Sequence, residues 1–98
     1  MNKAYYIEHK SYWIDRYGED YQVADGGELP IIYTSQKGAF RRVENMVKLF
    51  TEKMEYELVI PNESNPARKG NCLYACRLKK MNPEIRLELR VYEIYIEE

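Results

Sequence analysis

The chain has 98 residues, 45% of them apolar and 32% charged, and a net charge of −1. That balance excludes a disordered tail and argues against a polybasic coat for nucleic acid or membranes. One domain with a small core is expected at this length. No basic-then-apolar leader opens the chain, and no apolar run approaches the ~20 residues of a membrane span, so a cytoplasmic protein is expected.

Ala4–Lys10 and Tyr12–Tyr17 are aromatic and β-rich, which suits one long bent strand or two short ones. Gly18-Glu19-Asp20 signals a turn, and Tyr21–Ala24 returns as a strand in a hairpin with Tyr12–Tyr17. Asp25-Gly26-Gly27 resembles a second hairpin loop, where glycine supplies positive φ. Leu29–Tyr33 follows as a further strand, at an edge or starting after Pro30, because proline has no backbone donor.

Thr34 and Ser35 are both capping residues. From there Ala39, Val43, Met46, Val47, Phe50 and Met54 recur at helical spacing and predict one amphipathic helix over about 36–54. Gly38 in its first turn is a mild cost. Glu44, Lys48 and Glu52 form an i,i+4 series on its outer face, whereas Lys37 and Arg41 are an i,i+4 pair of like charge that local stability does not explain.

Tyr56–Ile60 reads as a strand closed by Pro61, and 62–71 as a polar, flexible loop. Cys72–Met81 alternates, with Cys72, Tyr74, Cys76 and Leu78 on one face and Leu73, Ala75, Arg77 and Lys79 on the other. A tight connection at 81–84 leads to the last strand, where Ile85, Leu87, Leu89 and Val91 share a face opposite Arg86, Glu88 and Arg90. The parity then switches to Ile94 and Ile96, which predicts a β-bulge near Tyr92-Glu93 or a strand passing between packed layers. The length of this strand places it centrally in the sheet.

Cys72 and Cys76 lie four strand steps apart, roughly 13 Å, beyond disulfide reach, and are expected to be buried and reduced. A zinc site is not expected, because His9 is the only histidine. Asp15, Glu19, Asp20 and Asp25 cluster at turns without calcium-loop spacing. Gly26-Gly27 lacks the lysine and helix of a phosphate loop. No catalytic constellation, metal or cofactor is expected, so the expectation is a non-enzymatic protein.

Tyrosine is the unusual residue, with ten copies. Tyr5, Tyr6, Tyr12, Trp13, Tyr17 and Tyr21 crowd the first hairpin. Strand packing explains such usage, and so does a binding surface. Tyr12, Trp13, Tyr17 and Tyr21 are the candidate residues for a protein partner or a homodimer contact.

Charge is blocked along the chain: residues 31–54 carry five basic and two acidic groups, residues 67–81 carry five basic and none acidic, and the remaining segments are acidic. Neighbouring elements of opposite charge account for this on a solvated surface. Merging of the two basic segments would instead assemble Arg41, Arg77 and Lys79 into a nucleic-acid patch, the alternative to a protein partner.

The run Ile32–Ala39, with its Tyr33-Thr34-Ser35 strand end, and the opening Ala4–His9 resemble a pattern in small uncharacterised bacterial and phage α+β proteins. The resemblance covers about a quarter of the chain and implies a strand, a cap and a close helix–sheet contact. It implies no activity, and residues 61–98 depart from it.

The expected fold is α+β: a five- or six-stranded, mostly antiparallel sheet with the helix packed across one face. One helix leaves the other face open, which favours an interaction module, of the accessory or inhibitor kind found on mobile elements.

Overall fold

The computed structural model describes residues 2–14, 20–60, 71–81 and 84–96, and only the backbone at residues 14, 20–25 and 60. It is an α+β fold. Five strands, β1 (Asn2–Ile14), β2 (Asp20–Glu28), β3 (Glu57–Ile60), β4 (Cys72–Lys80) and β5 (Ile85–Ile96), form one antiparallel sheet in the order β2-β1-β5-β4-β3. Among the described residues a single helix, α1 (Gln36–Lys53), joins the β2 edge to the β3 edge and packs on one face. The predicted turn at 18–19, the loop at 62–70 and the connection at 82–83 lie outside the described residues.

The aromatic opening is one continuous strand, paired with β5 without interruption from Asn2↔Ile96 to Trp13↔Ile85. β5 is therefore central, as its length predicts. The hairpin of β1 and β2 also forms, with Tyr12 opposite Val23.

Asp25-Gly26-Gly27 is not a turn. It runs within β2 opposite Ser11, Lys10 and His9. Its glycines serve the strand instead: Gly27 has φ +143, a conformation that side-chain-bearing residues rarely adopt. Leu29–Tyr33 is not a separate strand either. Leu29 N–H donates to the Ile7 carbonyl, and Tyr33 exchanges hydrogen bonds with Tyr5 at 2.9 and 2.8 Å, so the segment prolongs the edge next to β1. Pro30 cannot donate to a ladder, and Pro30, Ile31 and Ile32 stand exposed between the two contacts.

Ser35 caps the helix, its Oγ accepting from Gly38 N–H at 3.0 Å. A Cβ on Gly38 would sit 3.0 Å from that oxygen, which accounts for glycine in the first turn. At the other end the Phe50 carbonyl accepts from Met54 and Tyr56. Glu55 takes φ +61 between them, and the Tyr56 ring meets Phe50 edge-on at 5.3 Å. Of the predicted stripe, Ala39 and Val43 are buried, Met46, Val47 and Phe50 are half-buried, and Met54 is exposed.

The main core joins Ala39 and Val43 to Tyr5, Ile7, Cys76, Leu78, Leu87, Leu89 and Val91. A smaller cluster of Cys72, Ala75 and Tyr92, with Tyr6 against it, lies on the other face. A bulge in β4 separates the two: Cys72 pairs with Tyr92, but Tyr74 pairs with Val91, so two steps on β4 match one on β5. The bulge expected near Tyr92-Glu93 thus belongs to the neighbouring strand. Tyr92 follows Val91 onto the opposite face, so Cys72 and Cys76 do not share a face. Both cysteines are buried, and neither is in a disulfide.

Candidate functional site: the sheet face opposite the helix

Strand alternation divides the conspicuous residues between two faces. Tyr5, Ile7, His9, Ser11 and Trp13 of β1 share the helix side, whereas Tyr6, Glu8, Lys10 and Tyr12 take the other. On that second face side chains form rows across β1, β5 and β4: Tyr6–Tyr92–Cys72, Glu8–Arg90–Ala75, Lys10–Glu88–Arg77 and Tyr12–Arg86–Lys79. Glu28 of β2 extends the Glu8 row and Glu57 of β3 extends the Lys79 row.

The first row is aromatic. Tyr6 and Tyr92 stack with centroids 5.2 Å apart. Burial pushes the Tyr6 hydroxyl above its ordinary pKa, and the negative charge of Glu28 adds to the shift.

The middle rows are charged and self-paired. Glu88 takes Arg90 at 3.1 Å and Arg77 at 3.5 Å, and Lys10 lies 3.9 Å from Glu8. Burial by itself would lower the Arg90 pKa, but a hydrogen bond with Tyr92 and the charge of Glu88 outweigh it and the net direction is up. Glu8 Oε1 and Arg90 Nε are buried without a hydrogen-bond partner. Burying charge in this way stabilises a fold less than well-packed apolar residues would.

The last row holds a like-charge contact of cations, as the second holds one of anions in Glu8 opposite Glu28. Lys79 stands directly opposite Arg86, a like-charge cross-strand pair that opposes sheet stability. Arg86 donates to Glu84 at 3.4 Å, and its side chain is 53% exposed. Tyr12 flanks Arg86 on the β1 side. Tyr12, Val59, Arg77, Lys79, Arg86 and Glu88 line a shallow recess of about 320 Å³.

The structure therefore redistributes the sequence candidates. Tyr12 joins Arg77 and Lys79, which the sequence assigned to a different hypothesis. Trp13 is 45% exposed on the helix side, away from Tyr12. Arg41 sits on α1 in a groove with Lys37, Phe40 and Glu44, across the sheet from Arg77 and Lys79, so the three do not form one patch. Tyr21 lies in β2 where only the backbone is described, and Tyr17 lies outside the described residues. Arg86 was missed. Its signal was the alternation of Arg86, Glu88 and Arg90, which acquires meaning only once register sets it beside Lys79.

Among the described residues His9 and the cysteines do not come together. His9 and Cys76 both pair with Leu89 from opposite sides, two strands or about 10 Å apart, too far for a thiolate–imidazole pair. Burial pushes the Cys76 thiol up to about 11. Among the described residues no group of three or more His, Cys, Asp or Glu side chains is placed to hold a metal ion. No helix among them is long and apolar enough to cross a membrane. Comparison with protein-family models finds no match, and neither does comparison with curated proteins or with solved structures.

Proposed function

We propose that this protein is a non-enzymatic interaction module that binds another protein through the sheet face opposite the helix. The observation that carries the reading is the composition of that face: Tyr12 and three cationic groups, Arg77, Lys79 and Arg86, converge on one recess beside interleaved charges. Tyrosine and arginine in a recess with a polar surround are the usual anchors of protein interfaces. The half-buried charges of Glu8, Glu88 and Arg90 support it, because well-packed apolar residues would hold this face of the sheet at least as well. A small accessory or inhibitor protein of a bacterial or phage mobile element, working in the cytoplasm, fits this reading.

The test is a comparison of variants that remain folded by circular dichroism. Tyr12→Ala and Arg86→Glu should abolish capture of the partner from host extract, or self-association measured by light scattering. Lys48→Ala on the exposed side of α1 and Trp13→Ala should leave both unchanged. Equal behaviour of all four variants refutes the assignment to this face.

A further inference from the structure

We infer that the Tyr12–Arg86–Lys79 recess is a seat for an acidic side chain of the partner protein. The inference rests on the face assigned above and names the chemistry of what docks there.

The starting point is the like-charge pair. Cross-strand neighbours of the same sign repel, and the chain offsets this repulsion only in part, through Glu57 opposite Lys79 on β3 and Glu84 beside Arg86. Glu88, the acid in the recess, is already shared between Arg77 and Arg90. Glu84 accepts from Arg86 at 3.4 Å, on a guanidinium side chain that is 53% exposed. Lys79 makes no ion pair with a described residue within 4.0 Å. A carboxylate placed between Lys79 and Arg86 converts the repulsion into two charge-assisted hydrogen bonds. Tyr12 and Val59 supply walls on either side, so the acid's aliphatic stem is covered as its head is bound.

The surroundings select a protein over a nucleic-acid strand. A polyanion needs a continuous basic track. Here Glu57 and Glu84 border the recess row, and Glu8 and Glu28 lie further along the same face. One negative group is accommodated and the next along a phosphate backbone is repelled. An acidic side chain with basic or apolar neighbours matches the same pattern of charge.

Heteronuclear NMR titration of the full chain tests this, with capped hexaglutamate as the acidic probe, capped hexaglutamine as its neutral match and decathymidylate as the polyanion. Hexaglutamate should shift the amides of Lys79, Arg86 and their row neighbours, and hexaglutamine should not. Lys79→Ala should weaken hexaglutamate binding about tenfold, the scale of one lost charge-assisted contact, and Lys79→Arg should retain it. Absence of shifts at the recess, or equal binding by Lys79→Ala, overturns the inference. So does tighter binding of decathymidylate at the same residues, which makes the occupant a nucleic acid. If Tyr12→Ala still abolishes capture while hexaglutamate leaves the recess unshifted, the face stands and the acidic seat falls.

Discussion

Cys72 and Cys76 lie four residues apart on one strand and face opposite sides of the sheet. The β4 bulge between Cys72 and Tyr74 turns the strand over, so each thiol is buried in a different cluster. Cys76 sits under the helix with its thiol pushed up to about 11 by burial, and is held as the neutral form near pH 7. Iodoacetamide at pH 8 should therefore leave Cys76 unmodified in the folded protein and label it once the chain is unfolded in urea, as read by mass spectrometry of the two peptides. Labelling of native Cys76 at the rate of a free thiol would contradict its burial.

The same burial makes stability depend on alkaline pH. Cys76 is raised from 9.0 to about 11, and Tyr74, beside it, from 10.0 to about 12, chiefly by burial. Both groups are protonated in either state below the lower value of each pair. As pH rises through that value the unfolded chain ionises first and the native state loses ground. Thermal midpoints should be flat to about pH 9 on this account and fall from there towards 11 and 12. Tyr74→Phe should remove the upper part of that fall, and an unchanged profile in this variant would assign the loss to other groups.

Leu89 is fully buried on the central strand, in the cluster that meets α1. Leu89→Ala should cost about 2–5 kcal/mol in urea unfolding, the range for a large-to-small change in a packed core. For a small domain this is a large share of total stability.

Glu55 holds φ +61 immediately after the helix, a conformation that favours glycine. Its negative charge also meets the negative end of the helix dipole. Glu55→Gly should stabilise the fold by about 1 kcal/mol, with the gain read as a higher urea midpoint at constant slope.

Glu88 is a shared anion, and its side chain is only 13% exposed. Glu88→Gln should leave Arg77 and Arg90 with weaker acceptors and cost about 1–3 kcal/mol. The looser pair of Lys10 and Glu8, with the Lys10 side chain 39% exposed, should contribute under about 1 kcal/mol in a double-mutant cycle.

The helix and its cap were legible because both are local. Ser35 caps within three residues, and the stripe from Ala39 to Phe50 needs only the helical period. β5 was legible because Ile85, Leu87, Leu89 and Val91 alternate with Arg86, Glu88 and Arg90 over most of its length. The β4 bulge was not, since a parity change can be assigned to either of two paired strands until register is known. Asp25-Gly26-Gly27 misled for a similar reason: glycines that mark a turn in isolation also serve a strand beside a bulge, and β2 has one opposite Ser11 and Tyr12. The recess was hidden altogether. Tyr12, Lys79 and Arg86 come from three strands, and no spacing along the chain brings them together.

The pairing of β1 with β5 also sets a timetable. β1 leaves the ribosome before β2 and can form its hairpin with it early, but its inner edge must wait for β5, about seventy residues later. During that interval Tyr5 and Ile7 lack their main cover, and the nascent chain carries an exposed β edge at the time when neighbouring copies are most able to add to it. The centre of the finished sheet is thus the last part to close, and synthesis at high local concentration is the condition under which this protein is most vulnerable to aggregation.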